Sequence, residues 1–268
     1  MTDLPPTSPI VPGAIQVPSI GWHGQVGAAK VALHQAIADR ERADLRLSYA
    51  WLILFFVAPV IQTLLLYLAF FVFILSAQII LLLIFGAIAL ATPSLIHGII
   101  NRTLIKRMSR HFERESRLRS ALIEYLHAKA AQEGKLEAAA SALLAMAALH
   151  GEAQAEDRGR SVLWSFAFSL PGIRWYFFWF ISKFPFEHEQ RWLRILQNAE
   201  YAARAIGVPF AVPPVKPIKR HNFWVFLALS LVTSGLFVAY WYIVLIRDPH
   251  KHFETHVQVD DAIMLAFH

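Results

Sequence analysis

The sequence predicts an all-α polytopic membrane protein, with about four transmembrane helices of roughly 20 residues each, the third broken or re-entrant, and a cytoplasmic helical hairpin. Three observations predict this. Tyr49 to Ile100 contains no Lys, Arg, Asp or Glu, and a span needs about 20 apolar residues, so this block holds two. A second apolar run, Asn222 to Ile246, has Trp224 near one end and Tyr240, Trp241 and Tyr242 near the other, the aromatic belts of a membrane interface. Between these runs, apolar residues recur at helical spacing with charges on the other faces. Of the 268 residues, 56% are hydrophobic and 16% charged, against about half and a quarter in soluble domains.

From the N-terminus, residues 1–24 form a Pro-rich tail expected to be disordered. Residues 25–47 read as an amphipathic helix, with Val26, Ala29, Leu33, Ala36, Ile37 and Leu47 on its apolar side. Residues 48–100 form the transmembrane hairpin, Ser48 to Leu75 and Ile79 to Ile100, turning at Ser76–Gln78. Pro59 and Pro93 are expected to kink its helices, because proline removes a backbone donor and clashes with the preceding turn. Arg40, Arg42 and Arg46 precede the hairpin, and Arg102, Lys106, Arg107 and Arg110 follow it. The positive-inside rule therefore puts both ends, and the N-terminus, in the cytoplasm of a multi-pass cell-membrane protein.

Residues 101–160 read as a cytoplasmic helical hairpin and linker. Leu104, Met108, Phe112, Leu118, Leu122 and Tyr125 share one stripe, and Gln132–Lys135 makes the reversal. Residues 161–183 are long enough to cross but are interrupted by Pro171, Gly172 and Arg174, so the segment is a broken span or a re-entrant one. Residues 184–220 give an amphipathic helix with Trp192, Ile195, Leu196, Ala199 and Ala203 on one side, stopped by Gly207 and Pro209, and then a Pro-rich connector. Residues 221–247 give the last span and 248–268 a polar C-terminal tail. Four crossings would return the tail to the cytoplasm. Lys216, Lys219 and Arg220 before the last span outnumber Arg247 and Lys251 after it, so charge leaves the side of the tail open.

A pattern recurs along the chain. The stretches Arg160–Glu189 and Arg220–His256 each run from a basic residue through Trp, an apolar segment, a Gly break and an aromatic cluster to a Phe/His/Glu group. The second span shares only the end, Arg110 to Glu113, "RHFE". The plain reading is a membrane exit, with bases at the phosphates, Phe at the acyl boundary, and His and Glu in water. The sharper reading is a ligand site. His252, His256 and Asp260 lie four residues apart, on one face of a helix, and two His with a carboxylate suit a divalent metal. An exposed polar face is the alternative.

His97, inside the apolar hairpin, is a candidate haem ligand or relay group, against an anchoring role at the headgroups. There is no Cys, which excludes disulfides, thiolate catalysis, Zn–thiolate sites and iron–sulfur ligation. No phosphate loop or nucleophile elbow is present, so no enzyme activity and no cofactor are predicted. The net charge of +6 sits beside the apolar runs, as topology and anionic headgroups require. Arg102, Lys106, Arg107, Arg110, Lys219, Arg220 and Arg247 are the expected interface bases, and no nucleic acid is predicted.

Leu229, Ser230, Thr233, Gly235, Tyr240 and Trp241 fit a Leu-Ser-x-x-Thr-x-Gly…Tyr-Trp segment. In this the chain resembles a family of uncharacterised prokaryotic, archaeal-type integral-membrane proteins. The resemblance implies a polytopic membrane protein and assigns no reaction.

Three amphipathic faces need covering. Leu118, Leu122 and Trp192 are therefore expected to bind a protein partner or a second copy of the chain, beside the lipid bilayer. The expected role is a scaffold or accessory subunit of a membrane complex. A small transporter or channel is the alternative, and a membrane-bound metal or haem carrier a third.

Overall fold

The computed structural model of the chain describes residues 22–44, 46–76, 79–156, 164–170, 172–215 and 218–267. All of the regular structure there is helical: α1 Trp22–Ala38, α2 Arg40–Ala43, α3 Trp51–Ser76, α4 Ile79–Gln132, α5 Leu136–Glu156, α6 Trp164–Ala167, α7 Ile173–Ile206, α8 Phe223–Val232 and α9 Leu236–Ala266. Most of the expected Pro-rich tail, and residues 77 and 78 of the expected tight turn, lie outside the described residues.

Two helices, α3 and α4, are long and apolar enough to cross a membrane. Only 12% and 6% of their apolar windows are buried by the rest of the chain, so they are not core helices of a soluble fold. Phe56, Leu64, Tyr67, Phe70, Ile80 and Leu83 all project outward. An apolar surface of that extent marks a membrane or protein contact. Both prolines lie within continuous helix. After the apolar stretch α4 does not stop: it runs 54 residues, about 80 Å at 1.5 Å per residue.

The sequence predicts a single last span over 221–247; the structure has a break there instead. Phe226 and Trp241 have ring centroids 5.2 Å apart, whereas a straight helix would separate them by about 22 Å. The reversal is local chemistry. Ser234 and Gly235 adopt φ of 50° and 93°, and the Gly235 N–H donates to Ser230 O at 2.7 Å, closing a helix C-terminus. The Thr233 hydroxyl accepts from Phe237 N–H at 3.0 Å and so starts α9. α8 thus folds back along α9. The interrupted segment 161–183 resolves in a comparable way, as short α6, a turn with Gly172 at φ 87°, and long α7. Phe166 of α6 lies against Gly98 of α4, where an added Cβ would come within 2.4 Å of its ring.

Other boundaries differ too. The expected helix over 25–47 ends at Ala38, and short α2 follows. The expected polar C-terminal tail from residue 248 is helical instead: α9 continues to Ala266 and buries Phe253, Val259 and Ile263. The segment stays helical because those residues have a core to enter. That core comprises Leu33 and Ile37 of α1, Leu118 and Leu122 of α4, Met146 of α5, Trp192 and Ile195 of α7, and Ile263 of α9.

Leu118, Leu122 and Trp192, expected to bind a partner, are therefore 0%, 0% and 2% exposed within the chain's own bundle. The three amphipathic faces cover one another. A second apolar cluster joins Leu104 and Met108 of α4, Phe178 and Ile181 of α7, and Trp241 and Leu245 of α9.

Candidate metal centre

Between the two apolar clusters lies a buried polar layer, and α4, α7 and α9 build it from the repeated motif. Each helix brings a histidine to the same level: His111, His188 and His252, with ring centroids 5.5, 5.1 and 5.7 Å apart in pairs. In α7 and α9 that histidine stands three residues after a proline inside the helix, Pro185 and Pro249. One turn further along, Glu115, Trp192 and His256 face the same layer, as i, i+4 spacing dictates. Trp192 stacks on His256 at 5.7 Å and 17°.

His111, Glu115, His252 and His256 each offer one ligand atom, and these atoms all lie within 4.8 Å of one another. His111 Nε2 stands 3.1 Å from Glu115 Oε2 and 3.2 Å from His252 Nε2. Donors at roughly 2.0–2.1 Å on a tetrahedral ion lie about 3.3 Å apart, close to these separations. Carboxylates orient the rings from behind: His111 Nδ1 is 2.7 Å from Asp44 Oδ1, and His252 Nδ1 is 3.5 Å from Glu189 Oε1. A proton on His111 Nδ1 leaves its Nε2 lone pair facing Glu115 Oε2, the carboxylate–histidine–metal arrangement. Three electron-rich atoms at such distances need a proton or a cation among them. His256 Nε2, buried in the same layer, has no hydrogen-bond partner among the described residues.

The remaining groups hold the layer in place. His188 Nε2 is 2.5 Å from Glu115 Oε2, and Arg119 Nη1 donates to Glu115 Oε1 at 3.3 Å. Arg114 Nη1 donates to Asp260 Oδ2 at 2.7 Å, and its Nη2 lies 3.6 Å from Asp44 Oδ2. Asp44, Glu115, Glu189 and Asp260 thus bring four carboxyl groups to the layer, beside the guanidinium groups of Arg114 and Arg119. Arg191 is engaged by Glu156, and Arg40 lies 3.2 Å from Asp261 and 4.0 Å from Asp260.

Burial pushes His252 down to about 4, with neighbouring imidazoles adding to the effect, and drives His256 well below its ordinary value. Glu115 is held well below the usual carboxylate range by His188 and Arg119, against its burial. These donors are thus poised with free lone pairs and an ionised carboxylate. Burial raises Asp260 to about 6 despite Arg114.

The sign of the pH response follows. Between pH 6.5 and about 4 the unfolded chain protonates at His252 while the folded chain resists, and His256 acts in the same direction. Stability is therefore expected to fall as pH drops through that window. Asp260 opposes this as a single group, because its raised value favours the folded state as pH falls from about 6 toward 3.8. Urea midpoints at stepped pH should decline on acidification; a flat profile would contradict the burial of neutral imidazoles.

Of the residues singled out in the sequence, His252 and His256 meet in this layer, at 4% and 1% exposure, so the expected exposed polar face is corrected. Asp260 lies outside the four-residue cluster, its Oδ2 paired with Arg114. Spacing along one helix does not single out His111, Glu115 or His188, although the first two lie in or beside "RHFE" and His188 in "FEHE"; the repeat itself is the available signal. His97 is elsewhere, with Nδ1 3.2 Å from Arg174 Nη2 and its ring stacked on Tyr242. Arg102, Lys106, Arg110, Lys219 and Arg220 are exposed and Arg247 half-buried. Arg107, expected at the interface, is instead 1% exposed, because the α7 and α9 segments close over its face of α4.

The fold and this layer define an all-helical protein with two membrane-length helices and a buried histidine–carboxylate centre. No family model, no curated protein and no solved structure matches the chain.

Proposed function

We propose that this is a membrane-anchored metal-binding protein that holds one divalent transition-metal ion where α4, α7 and α9 leave the apolar region. The observation that carries the proposal is the convergence of His111, Glu115, His252 and His256, all buried, with ligand atoms within 4.8 Å. Three imidazoles and a carboxylate, without thiolates, suit zinc, and also iron or manganese where a further position stays open. A metal-binding role fits better than a scaffold here, because the apolar faces that suggested a partner are covered within the chain. The membrane reading rests on α3 and the apolar part of α4 as spans. In this reading α6–α7 and α8–α9 dip into the bilayer as re-entrant hairpins, and the exposed bases after the span put the helical module on the cytoplasmic side.

The test is elemental analysis of the full chain purified in mild detergent on a matrix free of chelating resin. About one ion per chain is expected, lost from His252→Ala with His256→Ala and strongly reduced in Glu115→Gln. No stoichiometric uptake of zinc, iron or manganese by the folded wild type would overturn the reading, as would variants that retain it.

A further inference from the structure

A second site lies outside the histidine layer. α4, α7, α9 and the segment leading into α8 enclose a cleft walled by Leu104, Met108, Ile181 and Val244, with Arg107 inside it and Lys219 at its lip. Arg107 Nη2 donates to Leu245 O at 2.9 Å, while Nε and Nη1 have no hydrogen-bond partner among the described residues. The guanidinium also lies over the face of Phe253, 5.7 Å from the ring centroid. A guanidinium keeps its charge at neutral pH, and an enclosed cation without an anion is costly. The carboxylate that lines the cleft, Asp248, is committed elsewhere: His221 Nε2 lies 2.6 Å from its Oδ2, and Arg247 Nε donates to its Oδ1 at 3.2 Å. The Ser182 hydroxyl, also in the wall, accepts from Trp241 Nε1 at 2.9 Å and keeps its own proton to donate.

We propose that this cleft binds a phosphate anion carrying an apolar tail or ester, with Arg107 as the buried anchor and Lys219 as the outer cation. A phosphate offers several oxygens to the two unused guanidinium donors, the geometry guanidinium recognises best. A tail or ester on the phosphate would meet the apolar walls of Leu104, Met108, Ile181 and Val244, and the cleft lies just beyond the apolar stretch of α4, where phospholipid headgroups would stand in the membrane reading above. Membrane phospholipid and a soluble phosphate share this chemistry.

The test uses the full chain, delipidated in neutral detergent and examined by native mass spectrometry. The probes are dioctanoyl phosphatidylglycerol and inorganic phosphate. Wild type should retain one phosphatidylglycerol, with affinity lowered at least tenfold in Arg107→Gln, several-fold in Lys219→Gln and unchanged in Arg102→Gln, an exposed base on the same helix. Phosphatidylglycerol retained against excess inorganic phosphate supports the site with a lipid source. Binding of inorganic phosphate alone, with the same loss in the variants, supports it with a soluble source. Binding of neither probe, or binding undiminished in both Arg107→Gln and Lys219→Gln, overturns the proposal. Should Arg107→Gln fail to fold, the exposed Lys219→Gln decides. Metal content should be the same in Lys219→Gln as in wild type, so this site and the histidine centre fail or stand separately.

Discussion

Removing divalent metal from the detergent-solubilised protein is expected to lower its thermal unfolding midpoint by about 10 °C, and adding zinc back should restore it. The estimate follows from linkage. A ligand held a thousandfold above its Kd stabilises the folded state by about 4 kcal/mol, and about 1 kcal/mol moves the midpoint of a chain this size by roughly 2–4 °C. The effect is this large because the layer without an ion carries electron-rich atoms face to face. Glu115 Oε2 stands 3.1 Å from His111 Nε2, and His252 Nε2 stands 3.2 Å from the same nitrogen. His252→Ala with His256→Ala should abolish the response to zinc. Equal midpoints with and without metal in the wild type would mean that protons, rather than an ion, hold this layer together.

Leu122→Asp is expected to unfold the helical module, not merely to release a bound protein. The side chain is 0% exposed and belongs to the cluster that joins α1, α4, α5, α7 and α9. Losing a buried leucine costs about 2–5 kcal/mol, and an unpaired buried carboxylate costs several more. Against a total stability of about 5–15 kcal/mol, the fold should not survive. Circular dichroism and limited proteolysis in detergent would read this directly. A variant that stays folded and monodisperse while losing a co-purifying protein would restore the scaffold reading.

Much of the helical layout was legible in the sequence because its causes are local. The charge-free block around α3 and the start of α4, the reversal at Gly134 and the stop at Gly207 each depend on a handful of neighbouring residues. The bends at Gly172 and Gly235 were visible only as glycine breaks. Whether a break kinks a span or folds it back depends on what the two halves touch, and Phe226 against Trp241 is a tertiary contact. The metal candidates were half legible. His252 and His256 lie on one helix, so their spacing suffices to pair them. His111 and Glu115 lie more than 130 residues away in sequence, and periodicity carries no information across that distance. Asp260, adjacent by spacing, was claimed by Arg114, which sequence alone could not foresee.

By itself, then, the sequence determined the length and apolar character of the first block, the helical class, and the recurrence of His, Phe and Glu where apolar segments end, because hydropathy and short-range spacing encode all three. The tertiary structure decided that these recurrences point at one another. Three Phe/His/Glu motifs become one buried polar layer only when α4, α7 and α9 pack side by side in matching register. It also decided that Leu118, Leu122 and Trp192 belong to the interior, because an apolar stripe states that it must be covered without stating by what.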